Sequence, residues 1–272
     1  MITYPNAKIN IGLNVVEKRQ DGYHNIETVF YPIGLCDVLE IEPSEGCTDY
    51  SFSASGIPLS GDPEENLIVK AYRLLQSEYD IPPVDISLIK QIPFGAGLGG
   101  GSADAAFTLK MLNEMFELKI TPRKLEKMAA DLGADCPVFI RNKAVFATGI
   151  GNVFTPVKIS LKGYFLVLIK PDIHVSTPEA YSLVIPEKSD VSIAENIQRP
   201  ISEWKALIKN DFEKSVFALH PEIAEIKNNL YAAGAVYASM SGSGSSVYGL
   251  FESEPVLDFK LHNCFVTGGM LK

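Results

Sequence analysis

Long apolar runs are missing from this 272-residue chain: the longest, Tyr164–Ile169, falls far short of the roughly 20 residues that span a bilayer. The N-terminal stretch MITYPNAKIN has neither the basic lead nor the apolar core of a signal peptide, so a cytoplasmic protein is expected. Cysteine is scarce. Cys36, Cys47, Cys136 and Cys264 form no CxxC pair and are too few for a disulfide scaffold, which leaves reduced thiols as the plain reading. His24, His174, His220 and His262 fall at no metal-ligand spacing, so no metal site made of protein side chains is expected. Positive charge is also short. With 24 Lys and Arg against 33 Asp and Glu, the net charge is −9, which disfavours nucleic acid and anionic membrane as partners. An anionic substrate then needs a local, built site.

What is present is ordinary globular composition, 46% hydrophobic and 21% charged, which excludes disorder, collagen and coiled coil. At roughly 100–200 residues per domain, the length fits two domains, as a monomer or a homodimer. Residues 7–16 and 28–42 read as strands with a turn at Asp21-Gly22, and Thr48–Ala54 as a further strand. Leu67, Ile68, Ala71, Leu74, Leu75 and Tyr79 then recur at helical spacing behind a capping Asn66. Val84–Lys90 alternates like a strand, and Ser102–Phe116 resumes helical spacing. Thr121-Pro122 opens a helix that Gly133 closes. In the second half, Gly163–Ile169, Ala235–Met240 and Ser246–Phe251 read as strands and Pro221–Ala233 as a helix; 186–200 reads as a loop. No regular βαβ alternation is present, so α+β is expected. Glycines and a proline over 149–156 place the domain break there, giving 1–153 and 154–272.

The strongest signal is Pro93-Phe94-Gly95-Ala96-Gly97-Leu98-Gly99-Gly100-Gly101-Ser102, lying between a strand and a helix pattern. Glycine costs more backbone entropy than any other residue, so such density needs a reason. Without Cβ atoms several backbone N–H groups can converge on phosphate oxygens, and the following helix adds its unpaired N–H groups and positive dipole end. A flexible linker is the competing reading, but apolar elements grip this loop on both sides. It is no Walker A motif, because Gly101 stands where that motif has lysine, and a Rossmann turn does not suit a loop that follows several strands. Phosphoryl transfer needs charge compensation, in-line positioning and a group near the acceptor hydroxyl. Lys8, in a strand, and Asp135, after a helix stop, supply the residue types. Read alone, Lys8 equally fits an edge-strand guard and Asp135 a turn-forming aspartate before proline.

Three stretches together resemble the motifs of the GHMP small-molecule kinases: PNAKINIGL at 5–13, PFGAGLGGGSADAA at 93–106 and SGSGSSVYGLF at 241–251. Order and spacing match across nearly the whole chain. The stretches RQDGYH at 19–24, with Thr28, and LGADCPVF at 132–139 are similar to the branch that phosphorylates the 2-hydroxyl of a cytidine-diphosphate-linked methylerythritol in non-mevalonate isoprenoid synthesis. The resemblance implies a two-domain α+β fold, an N-terminal domain like domain 2 of ribosomal protein S5 that binds ATP and a ferredoxin-like C-terminal domain, with the active site in the cleft between. It implies ATP as phosphoryl donor, Mg2+ held mainly by nucleotide phosphates, Asp135 as catalytic base and Lys8 as its partner. Pro93 and Gly95 to Ser102 would wrap the ATP phosphates. Asn10 would orient the acceptor end of the substrate, and Gly242, Ser243 and Gly244 would close around the substrate and phosphate region. Tyr23 and His24 match a cytidine site, and Tyr181 aligns with an aromatic on the base's other face. Stacking on such rings contributes roughly 1–3 kcal/mol per base, and histidine reads a base edge as donor or acceptor. Without the resemblance, Tyr23-His24 is also a plain strand start and Tyr181 a packing aromatic. Two features depart from the family pattern. The third motif is rich in serine, and no acidic residue matches the magnesium-binding glutamate of relatives such as mevalonate kinase. A homoserine- or mevalonate-type kinase, or a nonenzymatic nucleotide-binding protein, is the alternative.

Overall fold

The two periods resolve into β1 (Ile2–Thr3), β2 (Asn6–Lys18), β3 (His24–Cys36), β4 (Val38–Pro43), β5 (Tyr50–Gly56), α1 (Leu67–Glu78), β6 (Val84–Lys90), α2 (Gly100–Met115), α3 (Pro122–Leu132) and α4 (Cys136–Arg141). The chain continues through β7 (Val145–Thr148), β8 (Val153–Pro156), β9 (Phe165–Pro171), α5 (Thr177–Tyr181), α6 (Ile193–Asn196), α7 (Ile201–Leu207), α8 (Phe212–Leu219), α9 (Pro221–Ala232), β10 (Tyr237–Met240), β11 (Val247–Phe251) and β12 (Cys264–Met270). This computed structural model describes residues 1–272 except Cys47, Ser60 and Asp190. The thiol expected at Cys47 therefore lies outside the described residues, whereas Cys136 and Cys264 carry free thiols. Among the described residues no helix is long and apolar enough to cross a membrane.

Contacts divide the chain into two units, each built of three segments. Met1–Ala7, Leu35–Phe94 and Gly99–Lys143 form the first; Lys8–Gly34, Gly95–Leu98 and Ala144–Lys272 form the second. Residues 153 and 154, where the sequence places the break, lie in β8 within the second unit. There the glycines serve a hairpin, with β7 and β8 paired antiparallel and Gly149 and Gly151 at positive φ.

The first unit has a sheet in the order β1-β4-β6-β5, with β5 parallel to β6. β6 alternates cleanly, burying Val84, Ile86 and Leu88, and the same alternation puts Lys90 on the buried face. The helix signals hold at atomic detail. Asn66 Oδ1 accepts the N–H of Ile68 at 2.9 Å, and Thr121 Oγ1 accepts that of Lys124 at 3.3 Å with Pro122 in the first turn. α2 begins at Gly100, two residues ahead of the expected Ser102, because Gly99 takes the left-handed cap position at φ 70°. The expected strand 28–42 is two strands, divided at the buried Asp37. α4 left no periodic signal; six residues are too few to show one.

The second unit holds two sheets, β2-β3-β7-β8 and β10-β11-β9-β12. β2 is sewn to the segment before α8: the Leu13 N–H donates to Lys209 O and the Asp211 N–H to Leu13 O, both at 2.8 Å. The Val15 N–H donates to Asp211 Oδ2 at 2.8 Å. Leu13 and Val15 thereby enter one core with Val167, Ile169, Val216, Ile223, Leu230 and Val247. An N-terminal strand thus packs in a unit drawn mostly from the C-terminal half. The stretch 186–200, expected as a loop, contains the short helix α6.

Candidate active site

In the second unit the lysine and asparagine of the first motif meet the glycine loop and the serine-rich loop. Lys8 is 3% exposed. Its Nζ donates to Asn10 Oδ1 at 2.6 Å and to Gly97 O at 3.0 Å, and lies 4.9 Å from the Phe30 ring centroid. Asn10 is held from three directions. Its Nδ2 donates to Thr28 Oγ1 at 3.0 Å, its backbone N–H donates to Ser241 Oγ at 3.1 Å, and its carbonyl accepts from the Tyr248 hydroxyl at 2.9 Å. Lys8 therefore sits in a pre-aligned socket rather than in solvent, which disposes of the edge-guard reading.

Glycine at 97 is a geometric necessity. The residue has φ +71°, and a Cβ there would overlap the Ser241 carbonyl oxygen and lie 2.9 Å from its carbonyl carbon. Ser241 Oγ donates to Gly97 O at 2.8 Å, so the two loops touch backbone to backbone. Gly242 and Gly244 also take positive φ, and Asn210 Nδ2 donates to the carbonyls of Met240 and Gly242 at 2.8 Å each. His174, which no motif singles out, packs its imidazole against Gly95.

The aromatic group is not an open slot. His24 stacks on Tyr181 with centroids 4.5 Å apart and planes 24° apart, and Tyr181 meets Phe212 edge-on at 4.7 Å. Burial raises the Tyr181 phenol above its ordinary range. Tyr23 is 62% exposed, in a turn where its N–H donates to Asp21 Oδ1 at 3.1 Å. His24 thus takes one face of the tyrosine that the sequence assigns to a pyrimidine.

In the first unit Gly99 caps α2 without any side-chain hydrogen bond, leaving the first turn of a 16-residue helix open to an anion. Burial pushes the thiol of Cys136, at the start of α4, up to about 11, and α4 packs against α2. Asp135, immediately before Cys136, is the half-buried N-cap residue of α4 and makes no capping bond of its own. The Asp135 carboxylate and α2 thereby belong to packed helices of one unit. Beside Gly101 opens a cavity of about 710 Å³ whose walls include Leu59, Asn66, Leu67, Leu88, Phe94 and Asp104. It is apolar with a few polar groups, the character of a small-molecule pocket.

The structure brings Lys8, Asn10, Gly97 and Gly242 together in one unit, and Gly99–Ser102 together with the Asp135 turn in the other. Ser243 makes no part of either hydrogen-bond group. Sequence reasoning quoted Thr28, Ser241 and Tyr248 within its motifs without giving them a role, and passed over Asn210 and over Asn66 and Leu67 as cavity walls. Serine next to a motif glycine gives no periodic signal, but Lys90 gave one: a lysine at the apolar phase of an alternating strand. Among the described residues no three His, Cys, Asp or Glu side chains converge as a metal cage.

The contrast between glycines is testable. Gly97→Ala is expected to lower the thermal midpoint by several degrees, at roughly 2–4 °C per kcal/mol for a chain of this size. Gly101→Ala, whose Cβ would meet nothing nearer than Leu67 at 3.7 Å, is expected to stay within about 2 °C of the parent. Equal midpoints by scanning calorimetry for both variants would contradict the close approach.

The family of GHMP kinases N terminal domains matches residues 66–143, and that of GHMP kinases C terminal matches residues 193–262. A 4-diphosphocytidyl-2-C-methyl-D-erythritol kinase of Bacteroides fragilis is 60% identical over 271 residues, 98% of this chain and 99% of its own. A protein of the same name from Parabacteroides distasonis is 57% identical over 275 residues, 100% of both chains. A crystal structure of a 4-(cytidine 5'-diphospho)-2C-methyl-D-erythritol kinase, 34% identical, aligns with a TM-score of 0.80 over 92% of this chain and 90% of its own. The α+β expectation is borne out as a two-domain GHMP kinase fold, and the chain is an enzyme, a small-molecule kinase, rather than a nonenzymatic nucleotide binder. It belongs to the GHMP kinases, and within them to the group of the 4-diphosphocytidyl-2-C-methyl-D-erythritol kinases.

Proposed function

We propose that the protein transfers the γ-phosphoryl group of ATP to the 2-hydroxyl of 4-diphosphocytidyl-2-C-methyl-D-erythritol, in the cytoplasm, as a step of non-mevalonate isoprenoid synthesis. The observation that carries this reading is 60% identity over 98% of the chain to a kinase named for that substrate. The two family segments, 66–143 and 193–262, support drawing the domains as 1–153, which takes ATP, and 154–272.

In this reading the open first turn of α2, with Gly99, Gly100, Gly101 and Ser102, receives the triphosphate, and Gly95–Leu98 continues the cradle behind Pro93. Phosphoryl transfer asks the protein mainly for position and charge compensation. Asp135 accepts the proton of the acceptor hydroxyl, and the Lys8 ammonium, aimed by Asn10 and Gly97 O, neutralises developing charge on the transferring group. Gly242, Ser243 and Gly244 close on the substrate's phosphate region. Mg2+ would ride on nucleotide oxygens and water, as it commonly does in phosphoryl-transfer sites; it supplies charge neutralisation there. His24 reads the cytosine edge, with Tyr23 and Tyr181 as its aromatic neighbours. Their presence disfavours homoserine or mevalonate as acceptor, since neither carries a base.

Two substitutions separate the roles. Asp135→Asn is expected to lower kcat by roughly 10²–10⁴-fold while ATP affinity by calorimetry stays within a few fold; strong loss of ATP binding would make Asp135 a nucleotide ligand instead. His24→Ala is expected to raise KM for the cytidyl substrate by roughly tenfold or more and to leave KM for ATP unchanged. Equal damage to both would show that the two nucleotide ends are misassigned.

A further inference from the structure

Three charges lie buried beneath the first turn of α2; Asp104 falls within the 93–106 motif without a role there, and Asp37 and Lys90 lie outside every motif. Lys90 is 1% exposed, Asp37 0% and Asp104 3%. Lys90 Nζ donates to Asp37 Oδ2 at 2.5 Å and to Asp104 Oδ2 at 2.8 Å. Asp37 Oδ1 accepts the backbone N–H groups of Gln91 at 2.6 Å and Ile92 at 2.8 Å, and the Asp37 N–H donates to Pro5 O at 2.9 Å. Lys90 ends β6, Asp37 separates β3 from β4, and Asp104 sits in the second turn of α2. One cluster therefore grips the residues that lead into the glycine loop and those that lead out of it.

The cluster also touches the phosphate turn itself. A Cβ on Gly100, the first residue of α2, would lie 3.1 Å from Lys90 Nζ. The Phe94 ring covers the same ammonium, its centroid 5.2 Å away. Lys90 and Asp104 both line the 710 Å³ cavity, and Asp104 Oδ1 is buried with no hydrogen-bond partner among the described residues. Burying three charges is a poor route to stability, because apolar side chains of similar volume usually do as well or better. A carboxylate oxygen left without a donor makes the stability reading poorer still.

We propose that Asp37, Lys90 and Asp104 are positioning residues for the nucleotide, holding the first turn of α2 and the Gln91–Phe94 stretch in mutual register and setting the charge under the phosphate site. The proposal rests on the reading that this turn takes ATP. Burial pushes the Asp104 carboxyl up to about 7 against the pull of Lys90, and the negative charge of Asp37 adds to the rise. Below that pH the cluster is neutral; above it, two carboxylates face one ammonium and a net negative charge opposes a polyanion. The remaining charges on the packed elements are engaged elsewhere. Lys70 pairs with Glu65, Arg73 with Asp49 and Glu64, Lys124 with Glu78, and Arg141 with Glu126. Glu40 and Glu42 alternate away from buried Leu39 and Ile41, and Lys110 lies over the Phe107 ring; only Asp62 and Glu65 share the cavity with Lys90 and Asp104 among these charges. Cys136 of α4 stays a thiol throughout the neutral range.

The test is ATP binding by calorimetry from pH 5.5 to 8.5 on the whole protein and on Asp104→Asn, with kcat and KM alongside. The account expects the parent's Kd to rise roughly five- to tenfold, relative to the variant, as pH passes upward through 7. ATP's own last ionisation is common to both proteins and cancels in that ratio. It expects the difference in KM for ATP, with kcat within a few fold. Should the variant fail to fold, the parent alone decides: binding at pH 7.5, repeated in buffers of different ionisation enthalpy and corrected for the ionisation of ATP itself, should show proton uptake. Parallel profiles, or binding without uptake, would overturn the proposal. No ATP binding by the parent at any pH would overturn the reading of the site as well.

Discussion

Everything around Lys8 depends on residue 97 having no side chain. Because Gly97 adopts φ +71° and lets the Ser241 backbone come against it, its carbonyl receives both the Lys8 ammonium and the Ser241 hydroxyl. The same Ser241 hydroxyl takes the N–H of Asn10, and the Asn10 amide takes the other donor of Lys8. Separating the two loops by the width of a methyl group would pull the Gly97 carbonyl away from a buried ammonium. Losing a hydrogen bond to a buried charged group of this kind costs about 1.5–3 kcal/mol. The socket is thus a consequence of backbone packing, and the chemistry assigned to Lys8 inherits its precision from a glycine.

The density of glycine in the loop has more than one cause. Gly97 permits the approach to Ser241, Gly99 supplies the left-handed cap that opens α2, and Gly100 leaves room for Lys90 and Ile92. A phosphate cradle alone would not distinguish these positions. The serine-rich third motif divides in a similar way. The hydroxyls of Ser241 and Ser245 are spent on backbone carbonyls, Ser245 Oγ donating to Ile173 O at 2.6 Å, while Gly242 and Gly244 carry the turn. The departure from the family pattern in that motif is therefore structural in at least these two serines.

Much of the fold was legible. The caps at Asn66 and Thr121, the alternation of Val84–Lys90 and the strands flanking SGSGSS all rest on local physics that needs no distant partner. The short elements α4, α6, α7, β7 and β12 were not legible, because their four to seven residues carry no clean alternation, are too few to show a helical period and are stabilised by what they pack against. The interleaving of the two units was hidden for a related reason: β2 joins the second unit through Leu13, Val15 and Asp211, a pairing almost 200 residues apart in sequence. For the site, types and spacing pointed to the glycine loop, Lys8 and Asp135. They gave no notice of His24 stacking directly on Tyr181, which only coordinates can reveal. The buried Lys90 was in plain view as the wrong residue type for its phase in β6, and it sits beneath the first turn of α2.

In the proposed function one built anion site, on a protein of net charge −9, serves a kinase whose acceptor is recognised by its cytosine end. Initial rates with ATP over a panel of alcohols test this directly, the panel holding 4-diphosphocytidyl-2-C-methyl-D-erythritol, homoserine and mevalonate. The account predicts turnover of the cytidyl alcohol alone, with one ADP formed per phosphorylated product. Comparable kcat/KM on homoserine or mevalonate, or ATP hydrolysis that ignores the alcohol, would contradict it.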